Sequence, residues 1–309
     1  MLVEYHFRAM NTDVGVWLWS SSLGAKSLLY EVEEMFQEVE SHLSRFRADS
    51  ELSRLNAQAG QGAITVSSLL QRVLAQALAA ARKTEGIFDP TVLPLLRQAG
   101  YDRSFELLAK GNGDVHIPSA HPGQIGWQQV CLDQANSTVN LPAGVAIDLG
   151  GIAKGWTVDR ACEFLSGWGP TLVDAGGDMR AKGLPGGAAW PVGVQDPFHP
   201  DQNLMILALD DCAVATSTIG KRHWQRNGHA FHHLIDPRTG TSAESDLHTV
   251  TVQAPSAQEA EVAAKTALLL GSNQGADWLR QQGHAAILIQ RSGDRTEVGR
   301  LPIQERDEQ

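Results

Sequence analysis

Three stretches of this sequence carry residue types suited to phosphate and proton chemistry. Residues 147–155, IDLGGIAKG, set Asp148 ahead of a glycine pair and Lys154. An apolar strand ending at Asp148, glycines that let main chain approach a ligand, and a helix opening with Lys154 in its first turn would bind an anion. A tight strand-to-helix turn with a surface lysine accounts for the same residues. The glycine spacing fits neither GxGxxG nor GxxxxGK[ST], which excludes a Rossmann or P-loop site. In residues 174–183, DAGGDMRAKG, Asp174 and Asp178 flank a second glycine pair. A hairpin turn explains Gly176 and Gly177 without any ligand.

The third stretch is HHLIDPRTG, residues 232–240, where His232 and His233 lead into an Asp-Pro turn closed by Thr239 and Gly240. Neighbours on a strand face opposite sides, so only one of the two histidines can point into a given site. There it would act as a general base near neutral pH; a solvated pair is the other reading. Phe46, Phe88 and Trp156 offer an aromatic wall for a flat ring, and suit an apolar core equally well.

Helices and strands must bring these stretches into place. Leu28, Leu29, Val32, Met35, Phe36, Val39 and Leu43 recur at helical spacing after an N-terminal strand. A second helix is expected over 67–82, and a third after IDLGG through Trp156, Cys162 and Leu165. A fourth runs from Ser256 to Gly271 and opens on an SxxE capping box. LMILAL from 204, CAVATS from 212, TVTVQA from 249 and AAILIQ from 285 read as strands. Several strand runs between 190 and 255 follow one another without a helix, which predicts an α+β fold with mixed or antiparallel sheets and packed helices. One unit over 1–309 is expected. Two intertwined subdomains fit as well, with no internal repeat and with a frayed tail at 300–309.

The chain has 309 residues, 42% hydrophobic and 19% charged, as in globular proteins. Its net charge of −10 and the lack of a Lys/Arg cluster argue against a nucleic-acid partner. Cys131, Cys162 and Cys212 are too scattered for a zinc site or a disulfide framework and read as packing residues. The N-terminus lacks the pattern of an export signal, and no apolar run of about twenty residues could span a membrane, so a cytoplasmic protein is expected.

Taken in order along the chain, the motifs resemble the FAD:protein FMN transferase (ApbE-like) family. The resemblance runs from about Met10 to Gly271 through AMNTDVGV, LSRFRADSELSRLN, GIFDPTVLPLL, IDLGGIAKGWTVDR, DAGGDMRAKG, VQDP, VATS, HHLIDPRTG and AEVAAKTALLLG. It implies an ApbE-like fold with T-fold-like subdomains. It also implies a reaction in which FMN passes from FAD to a threonine or serine hydroxyl of an acceptor flavoprotein, releasing AMP, with magnesium on the diphosphate. By motif position, FAD contacts fall to Met10, Phe46, Ile87, Phe88, Asp89, Asp148, Lys154 and Leu234. The catalytic positions are His233, which takes the acceptor proton, Asp148 and Lys154; all three are expected to line one cleft. The metal positions are Gly151, Glu261 and residue 265.

One motif departs from the family. Where members usually read ADxxxT, this chain has Ala260, Glu261 and then Lys265, four residues after the glutamate. Glu261 supplies a hard oxygen, whereas an ammonium at Lys265 competes with a cation. We expect Lys265 to replace part of the cation's charge, although a helical Glu–Lys surface pair has the same spacing. Thr266 points about 100° away and is a poor substitute. A smaller departure is STIG, where the family has a glycine directly after the serine. An FAD pyrophosphatase and a non-catalytic FAD-binding or delivery protein are the alternative functions.

Overall fold

The computed structural model describes residues 1–105, 126–221, 223–226 and 229–304. It divides into two compact units. The first comprises Met1–Gln37, Lys154–Gly220 and Ser245–Gln309, and the second Glu38–Ala153 and Lys221–Glu244. Among the described residues, the α-helices are α1 (Ala25–Leu43), α2 (Glu51–Ala57), α3 (Ser68–Lys83), α4 (Leu93–Gln98), α5 (Ala153–Ser166), α6 (Ala257–Leu270) and α7 (Ser272–Gln282). With the antiparallel sheets they make the expected α+β fold. Among the described residues, no helix is long and apolar enough to cross a membrane.

The first unit is built on an eight-stranded sheet. Its strands are β1 (Leu2–Ala9), β2 (Thr12–Trp19), β3 (Thr171–Ala175), β4 (Asp178–Lys182), β5 (Ala213–Thr218), β6 (Leu247–Ala254), β7 (Ala285–Gln290) and β8 (Arg295–Val298). Spatial order follows chain order, and each neighbouring pair is antiparallel. Every strand expected from 204 onward is present, and the LMILAL run lies in the Trp190–Gln195/Asn203–Leu209 hairpin.

Both faces of the sheet are covered. On one, Val14, Val16, Leu18 and Val173 pack with Leu29, Val32 and Phe36 of α1 and with Val158, Cys162 and Leu165 of α5. On the other, Leu172, Ala181, Val214, Ile287 and Ile289 meet Trp190, Val192, Val194, Leu207 and Leu209 of the hairpin. Covered on both sides, β3 is buried at nearly every position, whereas β1, at the edge, alternates. Cys162 and Cys212 are buried as expected of packing residues, but Cys131 is exposed. Leu301 is buried, and the Gln304 N–H donates to the Ile206 carbonyl at 2.8 Å. The rest of the expected frayed tail, 305–309, lies outside the described residues.

In the second unit, α3 follows the predicted periodicity, burying Leu69, Leu70, Val73, Leu74, Ala77, Leu78 and Ala81. Ser67 caps it by accepting from the Leu70 N–H at 3.2 Å, and its own N–H and hydroxyl donate to the Glu51 carboxylate at 2.6 Å each. One run differs from its sequence reading. Residues 145–148 join no sheet; they are extended and held by side-chain and turn contacts instead. In the GIFDPTVLPLL run, turns lead into α4, with Pro94 in its first turn, where a missing N–H costs nothing.

Candidate active site

In the first unit, three predicted motifs converge on one ammonium group. Lys154, in the first turn of α5, donates from Nζ to Glu261 Oε1 on α6 at 2.9 Å and to Asp178 Oδ2 on β4. The Gly155 N–H donates to Glu261 Oε2 at 3.0 Å, so both oxygens of that carboxylate are engaged. Side-chain exposures of 18% for Lys154, 5% for Asp178 and 8% for Glu261 place the cluster under cover. Gly155 makes it possible, because a Cβ there would come within 2.7 Å of the Ala257 and Gln258 main chain at the start of α6.

Asp178 directly follows a two-residue turn in which Gly176 and Gly177 have φ of 66° and 98°. These values favour glycine, and a Cβ on Gly176 would lie 2.1 Å from Thr12 Oγ1. The turn thus forms a hairpin, and the residue after it supplies a buried carboxylate. Burial pushes the Asp178 carboxyl up, the ammonium pulls it back and the Glu261 charge adds to the rise, leaving it at about 7. Burial pulls Lys154 down, but the Asp178 and Glu261 charges outweigh it and hold the ammonium above its ordinary value.

In the second unit, Asp148 is set by short tethers. Asn56 accepts from the Ile147 N–H at 2.7 Å and donates to the Ile147 carbonyl at 2.8 Å, while the Asp148 N–H donates to the Pro90 carbonyl at 2.8 Å. Asp148 Oδ1 accepts from the Gly150 N–H at 2.8 Å, and Oδ2 lies 3.3 Å from Arg45 Nε. Arg45 escaped the sequence reading, although it sits within LSRFRADSELSRLN. Its guanidinium lies 4.0 Å from the Phe46 ring centroid and 4.5 Å from that of Tyr101, and donates to the Tyr101 carbonyl at 2.8 Å. Only 5% of the side chain is exposed, so its charge is compensated by Asp148 and the two rings. Burial, then the Arg45 charge, lowers Arg97 on α4, which places a second guanidinium in the field of the same carboxylate.

The two histidines separate by role. His232 donates from Nε2 to the Ala243 carbonyl at 3.0 Å and accepts at Nδ1 from the Leu234 N–H at 3.3 Å. Both nitrogens are therefore spent on the turn, and the neighbouring His233 is half-buried. The turn is closed by Asp236, which Arg238 pairs at 2.7 Å and 2.9 Å.

The remaining predicted FAD contacts fall into two groups. Met10, in the β1–β2 turn of the first unit, has φ of 52°, unusual for a long side chain, and is half-buried against the core. In the second unit, Phe46 is 38% exposed and Ile87 half-buried. Phe88 and Leu234 are buried. Asp89 is also buried, its carboxylate accepting from Thr91 and from the Trp127 N–H. Trp156, in the first unit, lies 5.5 Å under the Arg160 guanidinium.

The expected metal residues do not fit a resident divalent cation. Both Glu261 oxygens already accept hydrogen bonds, one from an ammonium, Lys265 carries positive charge, and the Thr266 hydroxyl donates to the Val262 carbonyl at 2.7 Å within α6. Among the described residues, no group of three or more His, Cys, Asp or Glu could hold a metal. Gly151 belongs to the second unit and contributes main chain alone.

The model of the ApbE family matches residues 10–289. The chain belongs to the ApbE family. Among curated relatives, the FAD:protein FMN transferase of Treponema pallidum is 33% identical over 277 residues, covering 82% of this chain and 74% of the relative. That of Escherichia coli K12 is 27% identical, covering 82% and 73%. Among solved structures, the ApbE protein of Thermotoga maritima superposes with a TM-score of 0.87 at 26% identity, covering 96% of this chain and 97% of its own. The flavin transferase ApbE of Vibrio cholerae gives 0.81 at 25% identity, covering 97% of each chain. The ApbE match begins at Met10, as the motifs implied, and extends past Gly271 into β7.

Proposed function

We infer that this ApbE-family chain is an FAD:protein FMN transferase. The observation that carries the reading is the ApbE match over residues 10–289, supported by relatives named for that activity at 33% identity and below. In the reaction, a threonine or serine hydroxyl of the acceptor loses its proton to His233. Its oxygen then attacks the FMN-side phosphorus of FAD, the bond to the bridging oxygen breaks, and AMP leaves with that oxygen. The acceptor becomes a phosphoester of FMN, and no oxidant or reductant is consumed.

Such a displacement needs an activated hydroxyl and stabilisation of charge on the phosphoryl oxygens. The engagement of both His232 nitrogens favours His233 for the first role. The main-chain amides of the α5 N-terminus and of the Asp148–Gly150–Gly151 turn preceding it are assigned to the FAD phosphates, while the Lys154 ammonium is held by Asp178 and Glu261. Met10, Phe46 and the main chain of Ile87–Asp89 and Leu234 are assigned to the rest of FAD. A divalent cation on the diphosphate is part of what the resemblance implies, but the residues at its expected position do not fit one, and no step is routed through it.

The test is His233→Ala. Transfer of FMN to an acceptor should fall by at least about 100-fold, as for loss of a general base, while FAD binding followed by flavin fluorescence stays within about threefold. Loss of FAD binding in parallel with transfer would move His233 from proton transfer to structure.

A further inference from the structure

The sequence pointed to Lys265 as a group replacing cation charge; the structure brings a further ammonium, that of Lys154, to Glu261. Its Nζ bonds Oε1 at 2.9 Å while the Gly155 N–H holds Oε2 at 3.0 Å. The same ammonium bonds Asp178, so one positive charge lies between two carboxylates that are 5% and 8% exposed.

Two covered carboxylates facing one small region are a hard-oxygen donor pair, the kind that attracts magnesium or manganese. Here the pair already has a covalently attached cation, and with both carboxylates ionised the cluster carries a net charge of about −1. A divalent ion entering at Glu261 would have to break the Lys154 contact and crowd two positive charges under cover. That exchange is unfavourable while the ammonium stays. Removing the ammonium leaves the carboxylates uncompensated, which destabilises the fold and at the same time creates a cation site.

We propose that Lys154 is the built-in counter-ion of the Asp178–Glu261 pair, and that this chain excludes a divalent cation from the pair unless Lys154 is displaced. The inference stands on side-chain geometry within one unit and holds whether or not FMN transfer is observed.

Manganese is the probe, because free Mn²⁺ is counted by its electron paramagnetic resonance signal. Full-length protein without nucleotide is titrated as wild type, Lys154→Met, Glu261→Gln and the double variant. Wild type and Glu261→Gln should bind Mn²⁺ equally weakly. Lys154→Met should bind at least about tenfold more tightly than wild type as the pair goes from net −1 to −2, and Glu261→Gln should erase that gain. Mn²⁺ should also raise the melting temperature of Lys154→Met and leave that of wild type unchanged. If Lys154→Met does not fold, the wild-type and Glu261→Gln titrations decide alone: equal binding supports the proposal. Tight wild-type binding that Glu261→Gln abolishes, or a folded Lys154→Met that gains nothing, overturns it.

Discussion

Arg45 shows how far a single residue can escape a sequence reading. Within LSRFRADSELSRLN it looks like one more surface base, since nothing local shows that Tyr101 and Asp148 come to meet it. An exposure of only 5% and the 3.3 Å contact with Asp148 make it a structural charge. Arg45→Ala should therefore cost about 3 kcal/mol or more in urea unfolding, because Asp148 keeps a charge without its partner. Arg45→Lys should recover part of this, lacking the planar group that stacks on Phe46 and Tyr101. A loss under about 0.5 kcal/mol, typical of exposed pairs, would contradict the assignment. His232 and His233 are the opposite case. The sequence stated that only one could serve a site, and both ring nitrogens of His232 are engaged within its own turn.

His248 carries a pH prediction. Burial, then the Arg291 charge, lowers its pKa, and Nδ1 is buried without a hydrogen-bond partner beside the Phe198 ring, 5.2 Å away. A histidine with a depressed folded value adds stability above its unfolded value of about 6.5, and that stability is lost as pH falls. The melting temperature should drop between pH 7.5 and pH 5, and His248→Gln should flatten that drop. An unchanged slope in the variant would remove His248 as its source.

At the scale of elements, legibility followed locality. The SxxE box was readable because its parts are three residues apart, and Ser256 does accept from the Glu259 N–H at 3.2 Å. The same helix end has a second cap that no local pattern reveals: Asp159 on α5 accepts from the Ala257 and Gln258 N–H groups at 2.8 and 3.0 Å. Asp159→Ala should cost about 1–2 kcal/mol, the usual range for losing a strong cap, in chemical denaturation. No measurable change would show that Ser256 suffices.

Helix α7 was missed for a related reason. It is polar, contains Gly275, and takes its cap from Asp246, which lies 26 positions upstream and accepts from the Ser272 N–H. Gly275 is there because a Cβ would sit 2.4 Å from the Ala267 carbonyl oxygen, a packing reason invisible to helix propensity. Gly155 obeys the same rule at the site. Gly155→Ala should destabilise the protein by about 1–3 kcal/mol through overpacking of α5 against α6. It should also reduce FMN transfer, because the displaced amide no longer holds Glu261. Wild-type stability and transfer in this variant would show that the close approach is not needed.

For the whole molecule, the strand runs without intervening helices gave the α+β class, and ordered motifs gave the family. The in-order antiparallel sheet was not legible, because β2 and β3 pair across more than 150 residues of chain, beyond any local periodicity. The site was legible in its parts and hidden in its couplings. Lys154, Asp178 and Glu261 lie in three separate motifs, and the DAGGD segment explained itself as a turn, which concealed its buried carboxylate.

FMN transfer itself is tested most directly by intact mass of an acceptor flavoprotein incubated with this chain and FAD, with nucleotides separated by chromatography. The predicted result is an acceptor heavier by one FMN and one AMP released per acceptor modified. An acceptor of unchanged mass, with free FMN and AMP or with FAD intact, would contradict it.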